Sequence, residues 1–235
     1  MKSENKRIDV VITGVGGGIG SELLEILAQM PNAHVTAFTR KIDNLADSIK
    51  HLGNVTVRQF DFLLFNHRQL EQALSHLSKI DVLINNAGFL VNKPIGQMNA
   101  LDIHQIIQVN FTGTILFTQA CLPYLEKSPK AHVVNISSMA GVQGSVKFPG
   151  LAIYSAAKSA ICTFTESMAQ EFTDSRIHFN CIALGAVNTK MFNEAFPGHQ
   201  APQNPADIVP FIVDFAINKQ SLFNGKIIPL AATTP

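Results

Sequence analysis

The chain has 235 residues, of which 46% are apolar, and a formal net charge of +1. This length and apolar content allow one sizeable core, and the near-zero charge argues against nucleic acid or an anionic membrane as the main partner. The polar stretch Met1–Arg7 has no apolar segment behind it, so no signal peptide is predicted. No apolar run reaches the roughly 18 residues of a membrane span, and we expect a cytoplasmic protein.

The three cysteines, Cys121, Cys162 and Cys181, are far apart in sequence, and each lies in an apolar predicted element. A buried free thiol is the expected state of each, which suits a reducing compartment. No Cys/His spacing is typical of a metal site, so no metal is predicted.

A glycine-rich loop follows the first apolar run. Ile8–Ile12 predicts a buried parallel strand, and Glu22–Met30 has the apolar spacing of a helix. Between them lies the loop Thr13–Gly20. In this strand–loop–helix context the missing side chains let the backbone approach a pyrophosphate, whose charge the helix N-terminus stabilises. The loop is therefore predicted to bind a dinucleotide, and the alternative is a flexible turn.

The end of the second predicted strand, His34–Thr39, indicates which dinucleotide is bound. An acidic residue there would bind a ribose 2′-hydroxyl, whereas an arginine suits a 2′-phosphate. Arg40 and Lys41 follow the strand, and no acid precedes Asp43. NADP(H) is therefore favoured over NAD(H), the alternative being that Arg40 is a solvated residue at a strand end.

Predicted strands and helices alternate along the rest of the chain. The further strands are Val55–Phe60, Ile80–Ile84, Ala131–Ser137, Arg176–Leu184 and Gly225–Leu230. The further helices are Ile42–His51, one capped by Asn66 and ending near Leu77, one from Asn99 or Asp102 to Glu126, Tyr154–Phe172 and Pro205–Ile217. This alternation predicts an α/β fold, a Rossmann-like doubly wound parallel sheet of about seven strands with helices on both faces. Residues 1–235 are predicted to form a single domain, because no linker divides them.

Tyr154 and Lys158 are four residues apart, which places them on one face of the predicted helix. The ammonium is expected to lower the tyrosine pKa from about 10, so that the phenol exchanges a proton with an alcohol or carbonyl near neutral pH. Ser138, at the end of a predicted strand, can donate a hydrogen bond to the same substrate oxygen. Taken alone, the pair is also typical of a half-buried tyrosine beside a solvated lysine. Asn110, amid apolar helical residues, is by itself typical of a capped or bent turn.

Five motifs, in order and over nearly the whole chain, resemble those of the short-chain dehydrogenase/reductase family. They are Thr13-Gly14-x-x-x-Gly18-Ile19-Gly20, then Asp61, then Asn85-Asn86-Ala87-Gly88, then the tetrad Asn110, Ser138, Tyr154 and Lys158, and finally the segment Ile182–Thr189. Ser138 is preferred to Ser137 because the family's serine is followed by two residues and a glycine. The chain departs from the family in having Leu184-Gly185 where Pro-Gly is usual, in a longer loop before Tyr154, and in lacking a C-terminal Asp-Gly-Gly.

The resemblance implies hydride transfer between a nicotinamide and a carbonyl or secondary alcohol, with Tyr154 as general acid/base. Ser138 would hold the substrate oxygen, Lys158 would tune Tyr154 and bind the nicotinamide ribose, and Asn110 would hold a water that links Lys158 to a proton path. The expected cofactor contacts are Thr13, Gly14, Gly16, Gly17, Gly18, Ile19, Gly20, Arg40, Asp61, Phe62, Asn86, Ala87, Gly88, Tyr154, Lys158, Gly185, Val187 and Thr189. A homodimer or homotetramer is expected, because two long predicted helices are apolar on more than one face.

Two predicted covers, Gln143–Ile153 and Met191–Pro205, surround the expected substrate site. Their apolar side chains are Val146, Phe148, Leu151, Met191, Phe192 and Phe196, and Lys147 is one of few charges. An apolar or mixed ketone, aldehyde or secondary alcohol is therefore predicted, unless these residues only pack the covers. A second hypothesis is a catalytically silent dinucleotide-binding regulatory or scaffold protein. A third is an epimerase or dehydratase of the extended relatives, against which Asn-Asn-Ala-Gly and the short C-terminal part argue.

Overall fold

Seven strands form one sheet in the order β3-β2-β1-β4-β5-β6-β7, and all neighbouring pairs are parallel. The structure is a computed structural model that describes residues 6–232, so the expectations for residues 1–5 and 233–235 lie outside it. The strands are β1 (Ile8–Thr13), β2 (Ala33–Thr39), β3 (Val55–Gln59), β4 (Val82–Asn85), β5 (Ala131–Ser138), β6 (Ile177–Leu184) and β7 (Lys226–Leu230). The α-helices are α1 (Ile19–Gln29), α2 (Asp47–Lys50), α3 (His67–Leu74), α4 (Ala100–Ile107), α5 (Gly113–Leu125), α6 (Ala152–Glu171), α7 (Lys190–Ala195) and α8 (Pro205–Asn218).

The sheet is covered on both faces by helices. On one face, Leu23 and Leu27 of α1 are buried in the same apolar cluster as Ile208 and Ile212 of α8. The opposite face is covered by a second cluster that includes α3 and α5, with Phe117 fully buried. Because both faces are covered, the central strands β1, β4, β5 and β6 are buried along nearly their whole length. The predicted doubly wound parallel sheet is confirmed.

The strand order reverses between β1 and β4. The chain runs from β1 to β2 and β3 on one side, and from β4 to β7 on the other. In open α/β sheets, ligands bind at the carboxyl ends of the strands at this switch point. The loop after β1, Thr13–Gly20, and the segment Asn85–Gly88 after β4 therefore border the expected binding crevice.

The prediction of one helix over Ile42–His51 is wrong. A 3₁₀ turn spans Ile42–Asn44, and the four-residue α2 follows after a break. Leu45 and Ala46 have extended backbone, with ψ of 142° and 138°. This extended link allows both Leu45 and Ile49 to be buried in the core, which outweighs the local preference for a continuous helix.

The long helical segment after Asn99 is interrupted in its middle. Asn99 caps α4 through a reciprocal pair of hydrogen bonds with Asp102. A π-helical turn, Gln108–Thr112, then separates α4 from α5 and contains the buried Asn110. Such wide turns occur often at functional sites. The bent turn predicted around Asn110 is confirmed.

All three cysteines are free and buried, as predicted. Within residues 6–232, no helix is both long and apolar enough to cross a membrane. The same stretch of chain contains no cluster of three or more His, Cys, Asp or Glu side chains that could hold a metal ion.

Candidate active site

The loop after β1 folds tightly on itself because its glycines lack side chains. Gly14 and Gly18 have φ of +76° and +57°, a backbone conformation that favours glycine. A Cβ at Gly14 would lie 2.7 Å from the Cα of Ala87, and one at Gly20 would lie 2.1 Å from the carbonyl oxygen of Gly14. These glycines therefore carry no side chains that would cover their backbone at the N-terminus of α1. This exposed backbone fits the pyrophosphate of a dinucleotide.

The segment after β4 holds this loop in place. The Asn86 side-chain amide donates to the carbonyl oxygens of Thr13 and Gly14, each at 3.1 Å. The Thr13 hydroxyl accepts the backbone N–H groups of Asn86 and Ala87, each at 3.1 Å. Thr13 is only 1% exposed, so its side chain supports the loop from beneath. Contact between Thr13 and the cofactor stays a prediction.

The Gly20→Ala variant is expected to weaken dinucleotide binding about tenfold or more, equivalent to about 1.4 kcal/mol. The new methyl group would collide with the Gly14 carbonyl, so the loop must shift away from its binding conformation. The matched control is Gly53→Ala, whose added Cβ would meet no atom within 4 Å among residues 6–232. Titration calorimetry of both variants provides the measurement, and an unchanged dissociation constant for Gly20→Ala would contradict the assigned loop function.

The carboxyl end of β2 lies beside the loop. A Cβ at Gly16 would be 2.8 Å from the Thr39 hydroxyl, so the loop passes against the strand end that precedes Arg40. Arg40 is exposed, and within residues 6–232 its guanidinium has no hydrogen-bond or ion-pair partner. A cation available in this place suits a 2′-phosphate.

Asp61 and Phe62 follow β3 at the same edge of the sheet. The Asp61 carboxylate accepts the backbone N–H of Leu63 at 2.9 Å and caps a 3₁₀ turn. The Phe62 ring is stacked on Phe117 in the core, with 5.6 Å between ring centroids. The Phe62 side chain is therefore a core group, and cofactor contact from this residue is limited to its backbone.

The segment after β6 meets the glycine loop. A Cβ at Gly18 would lie 3.1 Å from the Thr189 methyl group. The Thr189 hydroxyl accepts the Phe192 N–H at 3.2 Å and caps α7. The Gly185 N–H donates to the carbonyl of Leu230 at 2.9 Å. Val187 is buried and forms an isolated β-bridge with Gln203. Residues far apart in sequence thus border one crevice.

The Ser138 hydroxyl lies near the Tyr154 hydroxyl and acts to lower the pKa of the tyrosine. Ser138 also accepts the Ala140 N–H at 3.2 Å. The neighbouring Ser137 faces away and donates to the Lys158 carbonyl at 2.8 Å in the protein interior. A Cβ at Gly141 would lie 2.5 Å from the carbonyl carbon of Lys158, so the turn after Ser138 packs directly on α6. These contacts favour Ser138 over Ser137 as the tetrad serine.

The predicted lowering of the Tyr154 pKa is wrong for this structure. Burial raises the pKa of Tyr154 to about 12, and the nearby Ser138 side chain only partly opposes this rise. The residue as a whole is partly exposed. The Lys158 ammonium lies 5.9 Å from the tyrosine ring centroid and donates to the Ile136 carbonyl at 2.9 Å. Burial also lowers the pKa of Lys158 to about 8, so the desolvation of both groups dominates over their mutual effect.

Asn110 is bound to the segment after β4. Its amide nitrogen donates to the carbonyl oxygens of Phe89 and Ile106 at 2.6 and 2.9 Å, and its oxygen accepts the Phe89 N–H at 3.2 Å. A Cβ at Gly88 would lie 3.3 Å from the Asn110 amide oxygen and 3.7 Å from the Lys158 nitrogen. Asn110 and Lys158 therefore flank Gly88, and the four tetrad residues lie at one edge of the sheet.

Of the apolar side chains predicted to cover the substrate site, some are exposed there and others are buried in the interior. Leu151 is 4% exposed and belongs to the interior, whereas Val146 and Phe148 are about half exposed. Phe192 and Phe196 contact each other, with 5.1 Å between ring centroids. Sequence reasoning missed Asn92, whose amide donates at 2.8 Å to the carbonyl of Ala195, 103 positions away. No local sequence pattern predicts a contact between residues so far apart in the chain.

Comparison with known proteins agrees with this geometry. The family model for short chain dehydrogenases matches residues 9–200. A Staphylococcus saprophyticus protein, named only as an uncharacterized oxidoreductase, is 32% identical over 188 residues, which cover 77% of this chain and 75% of that protein. A 3-oxoacyl-(acyl-carrier-protein) reductase of Aquifex aeolicus is 30% identical over 187 residues, covering 77% and 74%.

A solved structure has the same fold over nearly its full length. It is a short chain dehydrogenase of Escherichia coli CFT073 in complex with NADPH, with a TM-score of 0.85 and 26% identity, covering 95% of this chain and 96% of that one. The fold similarity extends beyond the matched sequence segment, because it covers 95% of this chain. The chain therefore belongs to the short-chain dehydrogenase/reductase family of nicotinamide-dependent oxidoreductases.

Proposed function

We propose that this protein catalyses NADP(H)-dependent hydride transfer between the nicotinamide and a carbonyl or secondary-alcohol substrate, with Tyr154 as general acid/base. The observation that supports it most directly is the proximity of the Tyr154 and Ser138 hydroxyls beside the switch-point crevice. Lys158 and Asn110 border the same place from two other sides. A proton donor, an oxygen-binding group and a cation are thus available at one point.

The chain's own residues would handle the proton and the oxygen of the substrate, while a bound NADP(H) would supply or accept the hydride. Tyr154 is neutral well above physiological pH because burial raises its pKa to about 12, so in the reductive direction it is ready to donate a proton to the developing alkoxide. Ser138 would donate a hydrogen bond to that same oxygen and stabilise its charge. Lys158 would hold the ribose and stabilise the deprotonated tyrosine, and Asn110 would hold a water beside Lys158.

The cofactor proposal combines the bare loop backbone with Arg40. The loop Gly14–Gly20 would hold the pyrophosphate, Arg40 the 2′-phosphate, and Asp61 the adenine, with Gly88 and Thr189 nearer the nicotinamide. The NADPH bound to the similar Escherichia coli dehydrogenase supports NADP(H) over NAD(H). The exposed guanidinium of Arg40 supports the same choice.

Thermal stabilisation by NADPH and by NADH, at equal concentration, tests this proposal. At about a hundred times its dissociation constant a ligand stabilises the fold by roughly 2.7 kcal/mol, which for this chain length corresponds to about 5–10 °C in Tm. We expect NADPH to give the larger shift, and Arg40→Asp to reverse the order. Arg176→Asp, an exposed arginine at the opposite end of the sheet, is the matched control. A larger shift with NADH in the unmodified protein would overturn the cofactor choice, and no shift with either would overturn the assigned loop.

The exposed Val146, Phe148 and Met191 support an apolar or mixed substrate. The Aquifex aeolicus relative, named for reduction of a 3-oxoacyl group, supports a carbonyl as the reacting group. We propose further that residues 1–235 act as one domain, as a homodimer or homotetramer, in the cytoplasm; the three free thiols support a reducing compartment.

A further inference from the structure

Two cysteines lie directly behind the tetrad and have no part in the proposed reaction. Cys162 is on α6, one helical turn after Lys158, and Cys181 is in the middle of β6. Both are packed in one small cluster with Ile161, against which Phe111 and Ile227 also pack. Residues from a helix and a strand 19 positions apart in sequence thus bring two thiols together.

The contacts of Cys162 connect this pair to the tetrad. Its sulfur lies 3.5 Å from the Ser137 hydroxyl, which donates to the backbone carbonyl of Lys158 at 2.8 Å. The two thiols pack in the same cluster, and their proximity lowers the pKa of Cys162 and raises that of Cys181. The Lys158 ammonium acts on Cys162 in the same direction as the neighbouring thiol. One sulfur is therefore suited to act as a nucleophile, and its neighbour remains protonated.

We propose that Cys162 and Cys181 are a redox modification site, at which a hydroperoxide converts the two thiols into a reversible intramolecular disulfide that lowers turnover. The Cys162 thiolate attacks one peroxide oxygen, the O–O bond breaks, and a sulfenic acid forms, with hydroxide leaving from hydrogen peroxide or alkoxide from an organic hydroperoxide. The Cys181 sulfur then attacks the sulfenic sulfur, forming the S–S bond and releasing the second oxygen as water after proton transfer. Each sulfur loses one electron, and the two peroxide oxygens gain one each.

The order of reactivity follows from exposure. Cys162 is 8% exposed, whereas Cys181 and Cys121 are fully buried. Burial raises the pKa of Cys121 well above its usual range, so this thiol is expected to stay reduced. A small hydroperoxide therefore reaches Cys162 first, and the nearby Cys181 resolves the sulfenic acid before further oxidation.

The expected consequence is a change at Lys158. A disulfide would tie α6 to β6 one turn from this lysine and would remove the S–H donor that faces Ser137. The crosslink itself is independent of the proposed reaction, whereas its effect on turnover rests on the proposed role of Lys158. The two parts are therefore measured separately.

The experiment exposes the purified full chain to graded hydrogen peroxide and follows three readouts. Intact mass is expected to fall by about 2 Da, and peptide mapping without reduction is expected to join Cys162 to Cys181. Carbonyl-reductase turnover is expected to fall at least about fivefold and to recover with dithiothreitol. Cys121→Ala is expected to behave like the unmodified protein, and neither Cys162→Ala nor Cys181→Ala is expected to form the crosslink.

Other outcomes would overturn the proposal. A disulfide that includes Cys121, or one that links two protein chains, would exclude Cys162 and Cys181 as the site. An equal, dithiothreitol-reversible loss of turnover in Cys181→Ala would show that inhibition does not require the disulfide. A protein without turnover before peroxide treatment would contradict the proposed function alone, because mass and peptide mapping still decide whether the crosslink forms.

Discussion

Tyr154→Phe is expected to lower kcat by about 10²–10⁴-fold while NADPH affinity changes by less than about twofold. Removing the hydroxyl deletes the proton donor, and general acid catalysis contributes about that factor. The ring, which supplies the shape of the site, is kept. The measurement is steady-state reduction on a panel of apolar ketones and aldehydes, with NADPH affinity determined separately by calorimetry.

The chain offers a matched control, because it contains only two tyrosines. Tyr124 is on α5, where its ring faces the Lys127 ammonium at 5.1 Å. Tyr124→Phe is expected to retain kcat. If Tyr154→Phe turned over at nearly the original rate, Tyr154 would not be the general acid, and the catalytic proposal would have to be abandoned.

Lys158→Met is expected to raise Tm at pH 7 by a few degrees and to abolish most turnover. Burial holds the pKa of Lys158 at about 8 instead of 10.5, so keeping the buried ammonium at pH 7 costs the fold about 3 kcal/mol. Loss of the hydrogen bond to the Ile136 carbonyl offsets about 1 kcal/mol of the gain. Methionine is apolar and has a length similar to that of lysine, so it fills the same space. Tm is expected to rise by about 2–4 °C for each kcal/mol of stability that remains.

The pH dependence of this effect has a defined sign. Between pH 8 and 10.5 the folded protein binds fewer protons at Lys158 than the unfolded chain does, so this lysine makes the stability of the fold rise with pH in that window. Above pH 10 the raised pKa of Tyr154 acts in the opposite direction, because the folded state keeps a proton that the unfolded state loses. The Tm difference between Lys158→Met and the unmodified protein is therefore expected to be largest at pH 7 and to shrink towards pH 10.

The control for this prediction is Lys130→Met, since Lys130 is exposed just before β5. Its Tm is expected to differ from that of the unmodified protein by a small amount that does not change between pH 7 and 10. Differential scanning calorimetry across this range measures both variants. A lower Tm for Lys158→Met at pH 7, or a difference that grows with pH, would refute the account of a destabilising buried ammonium.

The succession of strands along the chain and the position of the glycine loop were predictable from local sequence. Apolar runs bounded by glycine and by helical spacing depend on residues within a few positions of each other. The break between Asn44 and Asp47 was not predictable in this way, because it results from burial of Leu45 and Ile49 in a core built by distant elements. The burial of Thr13 beneath the loop likewise depends on Asn86, 73 positions away.

The sequence by itself determined the fold class, the position of the glycine loop, the tetrad candidates and the free state of the cysteines, because each rests on residue type and short spacing. Only the tertiary structure decided the ionisation of the site. The tyrosine–lysine spacing predicts a lowered tyrosine pKa, but the enclosure of both groups reverses that direction for Tyr154. The pairing of Cys162 with Cys181 has the same origin, since it requires α6 to lie across β6. Desolvation and contacts between distant segments are properties of the packed chain, and no local pattern encodes them.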